Sequence, residues 1–204
     1  MYPVITIGRQ FGSGGSEIGN KVAEALGFEH YDKNIIEIAS EKSGINKKLF
    51  QNADEKHSSF LYSLSVAHYG GMVSPAYMND VITNDKLFII QSNIIKELAQ
   101  KGPCVFIGRC ADDILKETVP TLNLFIHAPY EDRVKRIMKL YDVAEGNAKS
   151  LIKKTDKSRA SYYNFYANGT WGDSDNYDVS INSSLLGIDG TVEIIKELVA
   201  KKFR

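Results

Sequence analysis

The stretch "PVITIGRQFGSGGSEIGNKVAEALG" (residues 3–27) decides the fold. Its first part, residues 3–8, is a short run rich in β-branched side chains, which predicts a strand ending in glycine. Residues 14–27 then carry apolar side chains at helical spacing, and Gly27 is a suitable end for that helix. The glycine-rich residues 8–16 join the two elements. A strand, a glycine-rich loop and a helix in this order predict a phosphate site at the start of the helix.

The loop departs from the pattern G-x-x-x-x-G-K-[ST] at two positions. Arg9 stands at the first glycine and Gly15 at the lysine, whereas Ser16 keeps a hydroxyl placed to coordinate Mg²⁺. A flexible strand-to-helix turn is the alternative for an isolated glycine cluster, although the position after the first strand weighs against it. We expect Arg9 to replace the lysine, with Lys33 a weaker substitute. The candidate residues for binding the phosphates of ATP are Gly12, Ser13, Gly14, Gly15, Ser16 and Glu17.

Length and charge restrict the class of protein. The 204 residues suit one domain, residues 1–204, and 25 basic residues balance 25 acidic ones. This balance argues against a general nucleic-acid coat or a membrane-surface protein. Two cysteines cannot build a disulfide framework, and no apolar run reaches membrane-spanning length. We therefore expect a cytoplasmic protein with no nucleic-acid or membrane partner.

Strands alternate with helices along most of the chain. Five such strands predict a three-layer α/β domain with a mostly parallel sheet. Residues 45–84 break the pattern with aromatics, serines and a Gly-Gly pair, and we interpret them as an acceptor-side insert. Residues 143–170 are predicted to form a helical lid with a basic face. The aromatic cluster at residues 161–171 suits packing against the lid or a second copy better than base stacking, so a homo-oligomer stays open.

Several stretches together resemble one family. "ITIGRQFGSGGSEIGNKVAEALGFEHYDKNII" is similar to the N-terminus of the cytidylate kinase-like family, a branch of the P-loop nucleoside monophosphate kinases. The resemblance continues through "VFIGRCADDIL", "LFIHAPYEDRVKRI", "IKKTDKSRASYYNFY" and "YDVSINSSLLGIDGTVEII". It implies a P-loop kinase fold, ATP and Mg²⁺, and transfer of the ATP γ-phosphoryl group to a nucleoside monophosphate or other small acceptor.

The resemblance also implies roles on the acceptor side. Arg109 matches an arginine that lies close to the acceptor nucleotide, and a surface salt bridge is the alternative, which its place after a buried strand weighs against. Ile107 and Cys110 replace two family carboxylates, which leaves Asp112 as the nearest candidate for metal support on that side.

Basic residues of the lid stretches match residues that face the phosphates. Arg133 and Arg136 are three apart and share a helix face. Across the lid, Lys153, Lys157 and Arg159 are candidates to close over the transferred group. Guanidinium groups suit a transition state whose charge spreads over phosphoryl oxygens. A solvated charged helix face explains any one of these residues equally well.

Two further sites keep alternatives open. Asn182 and Ser183 match a loop near the adenine, and a helix cap explains them equally well. Asp32 follows the second strand, where small-molecule kinases place a base for a hydroxyl acceptor, although helix capping explains it too. The leading hypothesis is therefore a kinase. The alternatives are a catalytically silent nucleotide sensor and a kinase of nucleoside or small-molecule hydroxyl groups that uses Asp32.

Overall fold

The computed structural model describes residues 2–48 and 84–204, so most of the predicted acceptor-side insert lies outside the described residues. The strands are β1 (Val4–Arg9), β2 (Glu29–Tyr31), β3 (Cys104–Ile107), β4 (Thr121–His127) and β5 (Val179–Asn182). The helices are α1 (Gly15–Leu26), α2 (Asn34–Ser43), α3 (Asn84–Lys101), α4 (Ala111–Leu115), α5 (Tyr130–Tyr141), α6 (Glu145–Tyr166) and α7 (Ser183–Lys202).

The strands form one parallel sheet in the order β2-β3-β1-β4-β5, which confirms the predicted fold class. The central strand β1 pairs with β3 from Val4 against Cys104 and with β4 from Val4 against Thr121. Residues 4–7 are fully buried because helices cover both faces of the sheet. This order places the carboxyl ends of β1, β2 and β3 side by side at one edge of the sheet.

Each face of the sheet has its own core. Val4 and Phe106 pack with α2, α3 and α4 on one side. Ile5 and Ile7 pack with α1 and α7 on the other. A third, small cluster of Val134, Ile137, Ala148 and Ile152 joins α5 to α6. Helix α6, which spans most of the predicted lid region, thus packs against α5, and we call this pair of helices the lid hairpin.

The sequence pattern at the end of the chain predicts a last strand over residues 177–184 and a closing helix from residue 186. In the structure the strand stops at Asn182 and the helix begins at Ser183, three residues earlier. Gly187 interrupts this helix with a φ of 69° and a ψ of 177°, so the sequence pattern shows only the part beyond the kink. Asn182 caps the first turn by accepting a hydrogen bond from the Ser184 amide at 3.0 Å.

Cys104 and Cys110 are both buried free thiols. Of the helices that the structure describes, none combines the length and the apolar character needed to cross a bilayer.

Candidate active site

A glycine loop between β1 and α1 forms the floor of the site. Gly12 and Gly14 have φ values of 82° and 81°, which side chains rarely adopt. A Cβ on Gly14 would lie 2.5 Å from the Ile188 side chain, so space as well as conformation requires glycine there. Ser16 lies in the first turn of α1, at the positive end of the helix dipole. The loop therefore has the backbone and the dipole to bind a phosphate.

Hydrogen bonds within the loop and from α7 hold the loop in shape. The Ser13 hydroxyl donates to the Gln10 carbonyl at 2.9 Å. Ser183, the first residue of α7, donates to the Ser13 carbonyl at 2.6 Å and is buried. The predicted pair Asn182 and Ser183 thus meets the loop through Ser183, while Asn182 caps α7. These bonds fix the backbone of the loop at Ser13.

Arg9 leaves the end of β1 and lies across the sheet edge. Its Nη2 is 3.5 Å from an Asp32 carboxylate oxygen, and both side chains are mostly buried, with exposed fractions of 15% and 23%. The Arg9 Nε atom is buried without a hydrogen-bond partner. Burial lowers the pKa of Arg9, and Asp32 partly offsets this effect. The structure therefore brings Arg9 and Asp32 together, as neighbours, at the carboxyl end of the sheet.

A strained turn after β3 positions Arg109. Gly108, Arg109 and Cys110 follow one another with φ values of 74°, 65° and 54°. Two successive left-handed residues other than glycine are costly, and such strain is typical of functional sites. Burial lowers the pKa of Arg109, Arg9 lowers it further, and Asp32 opposes the shift. Arg109 is thus close enough to Arg9 for their charges to interact.

Arg159 of α6 completes a cluster of three cations. Its Nη1 donates to the Arg9 carbonyl at 3.0 Å, and its guanidinium lies 5.6 Å from the centre of the Phe11 ring. Burial, followed by the charge of Arg9, lowers the pKa of Arg159 to about 9. The Asp32 carboxylate raises the pKa of all three arginines, which opposes the effect of burial. Arg9, Arg109 and Arg159 are each partly buried, and this cluster of three cations, with Asp32 and, for Arg159, Asp156 as nearby carboxylates, favours an incoming anion.

Arg133 and Arg136 both contact the loop region but already have acidic partners. Arg133 is bound to Asp156 of α6 at 2.5 Å and donates to the Phe11 carbonyl at 3.2 Å. The other Asp156 oxygen accepts a hydrogen bond from the Phe11 amide at 2.7 Å. Arg136 pairs with Glu17 in the first turn of α1. Here Arg133 holds the lid hairpin to the loop.

Asp156 and Phe11 were not among the predicted site residues. Asp156 had a signal in the sequence, since it is the single acid within "KKTDKSR" and stands three residues before Arg159. Spacing of three places the two side chains on one helix face. Phe11 had no such signal, because its part in the site is made by its backbone and its ring.

Four other predicted residues have different surroundings. Lys33, Lys153 and Lys157 are exposed. Asp112 is buried, and it accepts a hydrogen bond from the Tyr163 hydroxyl at 2.5 Å. Burial raises the pKa of Asp112, although the bond from Tyr163 opposes the shift. The contact joins α4 to the lid helix α6.

Among the described residues, no three side chains of His, Cys, Asp or Glu gather at a point where they could hold a metal ion. A Mg²⁺ ion bound with a nucleotide needs few protein ligands, because phosphate oxygens and waters fill most of its positions. The partly buried Ser16 hydroxyl, in the first turn of α1, fits that requirement.

Three comparisons place this geometry among known proteins. The model of the cytidylate kinase-like family matches residues 4–185. The chain is 27% identical to a cytidylate kinase of Pyrococcus horikoshii, over 96% of this chain and 88% of that one. A solved structure of an uncharacterised protein from Eubacterium ventriosum is similar with a TM-score of 0.72 and 27% identity, covering 98% of this chain and 99% of the other.

The fold itself is shared more widely. Shikimate kinase from Bacteroides thetaiotaomicron has a TM-score of 0.54 at 14% identity, over 97% of this chain and 98% of its own. At that identity the likeness shows the P-loop kinase fold alone. The family match spans most of the chain, and it agrees with a parallel sheet whose first strand is followed by a glycine loop and a helix. The chain is therefore a kinase and belongs to the cytidylate kinase-like family.

Proposed function

We propose that this protein transfers the γ-phosphoryl group of ATP, with Mg²⁺, to a nucleoside monophosphate. The observation that carries the proposal is the cluster of Arg9, Arg109 and Arg159, each partly buried, beside a glycine loop at a helix start. Partly desolvated guanidinium groups close to one another repel, and negative charge between them relieves that repulsion. Two phosphorylated substrates that meet at this edge would supply that negative charge.

The loop and the lid would hold ATP. Residues 12–17 would bind the β-phosphate through backbone amides, and the Ser16 hydroxyl would bind Mg²⁺. When bound, Mg²⁺ would neutralise charge on the phosphate oxygens. Arg159 and Arg136 would reach the γ-phosphate, with the exposed Lys153 joining them if the lid moves closer. The start of α7, at Asn182 and Ser183, would lie on the adenine side, as the family resemblance implies.

Arg109 would bind the phosphate of the acceptor. It lies at the carboxyl end of β3, next to Arg9, on the side of the sheet where Asp32 follows β2. The relative from Pyrococcus horikoshii is a cytidylate kinase, which makes a cytidine monophosphate the first acceptor to test. Arg109 and Arg9 would then hold donor and acceptor phosphates in line.

Asp32 supports a second candidate, a hydroxyl acceptor. A carboxylate beside the transferred group can accept a hydroxyl proton, whereas an acceptor that is already an anion needs no base. In this structure an Asp32 carboxylate oxygen is 3.5 Å from the Arg9 guanidinium, which suits a counterion of Arg9 better than a base. We therefore favour the nucleotide acceptor.

One assay separates these functions. The purified protein is given Mg²⁺ and ATP with cytidine, uridine and adenosine monophosphates, the matching nucleosides, and small alcohols, and ADP formation is measured. Titration calorimetry with ATP runs in parallel. Transfer to a monophosphate supports the proposal, and transfer only to hydroxyl groups supports the role of Asp32. ATP binding without transfer indicates a nucleotide sensor, and absence of binding would rule out the loop assignment.

A further inference from the structure

We propose that Arg9 is a catalytic cation that takes the place of the loop lysine, and that Gly15 and Gly108 are glycines because Arg9 needs their space. This inference rests on the proposed phosphoryl transfer. It predicts that the phosphate-binding cation stands at position 9 of the loop instead of position 15, and that the loop keeps its function.

Gly15 stands where the common pattern has lysine. A Cβ atom at this position would lie 2.5 Å from the Arg9 Cβ and 3.0 Å from its Cγ, and 3.3 Å from the Ile126 Cβ. These atoms are close to the backbone and cannot swing away as the end of a long side chain can. A lysine at position 15 is therefore incompatible with Arg9 as it is placed here, so the two positions must change together.

Gly108 provides the space at the other end of the arginine. A Cβ atom here would lie 2.0 Å from the Arg9 Nη1, and the φ of +74° also disfavours a side chain. The guanidinium thus lies directly over the first residue after β3, with Asp32 3.5 Å away on its other side. The Arg9 side chain therefore extends from the loop to the edge of the sheet where donor and acceptor would meet.

The Arg9 side chain also has one N–H donor that makes no hydrogen bond. Its Nε atom is buried without a partner, and buried donors in native structures are seldom left so. In the transfer, a bond forms between the acceptor oxygen and the γ-phosphorus while the bond from that phosphorus to the β–γ bridging oxygen breaks. Arg9 exchanges no atoms, and its N–H groups would stabilise charge on the oxygens around that phosphorus.

The first test removes or displaces the guanidinium. Arg9→Met keeps much of the length without the charge, and Gly108→Ala moves the guanidinium while leaving Arg9 in the chain. Both should lower kcat for ATP-dependent transfer by about a hundredfold or more, the usual effect of losing one such donor. Both should also weaken ADP binding in titration calorimetry by about tenfold, the loss expected for one charge-assisted hydrogen bond.

The matched control for Gly108→Ala is Gly27→Ala. Gly27 has a φ of +67°, and nothing lies within 4 Å of a Cβ built on it. This variant introduces similar backbone strain far from Arg9, so it should lose stability and keep kcat. Equal kcat losses in the two glycine variants would contradict the proposal, as would a near-normal kcat in Arg9→Met.

The second test makes the exchange. Arg9→Gly together with Gly15→Lys gives the full G-x-x-x-x-G-K-S pattern, and it should transfer phosphate at least tenfold faster than either single variant. Circular dichroism and thermal unfolding establish that each variant is folded. A folded double variant no faster than Arg9→Gly overturns the exchange. Failure of the proposed function would give a different result from failure of the exchange, because the wild-type protein itself would then transfer phosphate to no acceptor.

Discussion

Arg133 on α5 and Asp156 on α6 form a mostly buried ion pair, and each partner also binds the backbone of Phe11. The Phe11 carbonyl accepts from Arg133 at 3.2 Å, and its amide donates to Asp156 at 2.7 Å. One loop residue is therefore bound to both helices of the lid hairpin. Arg159, one turn beyond Asp156, is held over the same loop by this arrangement.

Asp156→Ala should destabilise the protein by about 3 kcal/mol, because it leaves Arg133 buried without its counterion. It should also lower kcat, since Arg159 would no longer be held against the loop. Urea unfolding and steady-state kinetics measure the two effects. The control is Glu145→Ala, which breaks the exposed pair with Lys149 on the same helix and should change neither value much. An unchanged kcat in Asp156→Ala would show that the ion pair does not position Arg159.

Asp112 should affect stability in a pH-dependent way. Because burial raises its pKa, the folded protein binds this proton more tightly than the unfolded chain. Its contribution is therefore present at low pH and is lost as the pH rises through the folded pKa. Asp112→Asn cannot ionise, so its unfolding free energy should improve relative to wild type as the pH rises from about 4, the ordinary pKa of an aspartate in the unfolded chain, toward the raised folded pKa. A constant difference in urea unfolding across this range would contradict the prediction.

The same variant separates two roles for Asp112. As a positioning residue that binds Tyr163, it can be replaced by asparagine, whose oxygen still accepts the hydroxyl. Asp112→Ala leaves the buried Tyr163 hydroxyl without this partner and should cost about 1–3 kcal/mol. If Asp112 instead supported Mg²⁺, Asp112→Asn would raise the Mg²⁺ concentration needed for activity.

Ser16→Ala should raise the Mg²⁺ concentration for half-maximal activity and lower kcat by about a hundredfold, because a metal ligand is lost. Stability should change little, since Ser16 is only partly buried. Ser150→Ala, an exposed serine on α6, is the control for the same chemical change. A normal Mg²⁺ dependence in Ser16→Ala would remove Ser16 from the metal site.

Asp32→Asn should reduce transfer to a nucleoside monophosphate by less than tenfold. Its amide oxygen can still accept from Arg9, and an anionic acceptor needs no base. Initial rates at saturating ATP measure the effect, and Asp189→Asn, which alters an exposed pair with Lys21, is the control. A loss of a thousandfold with normal ATP binding would instead make Asp32 a base for a hydroxyl acceptor.

Local patterns in the sequence were sufficient to predict the architecture. The strand, loop and helix at residues 3–27 were predicted from periodicity and glycine placement, and the parallel sheet followed from the alternation of elements. The exact start of α7 could not be predicted, because the kink at Gly187 hides its first turn from a helical pattern. Most of residues 45–84, the predicted acceptor-side insert, lie outside the described residues.

The sequence by itself determined that this chain is a P-loop kinase of one family, with a loop that lacks its lysine. Only the tertiary structure decided where Arg9 lies and what Arg133 and Asp112 contact. Arg9 and Gly108 are 99 positions apart in the chain, and Phe11 and Asp156 are 145 apart. Direction and partner of a side chain depend on which strands and helices pack side by side, and no local spacing contains that information.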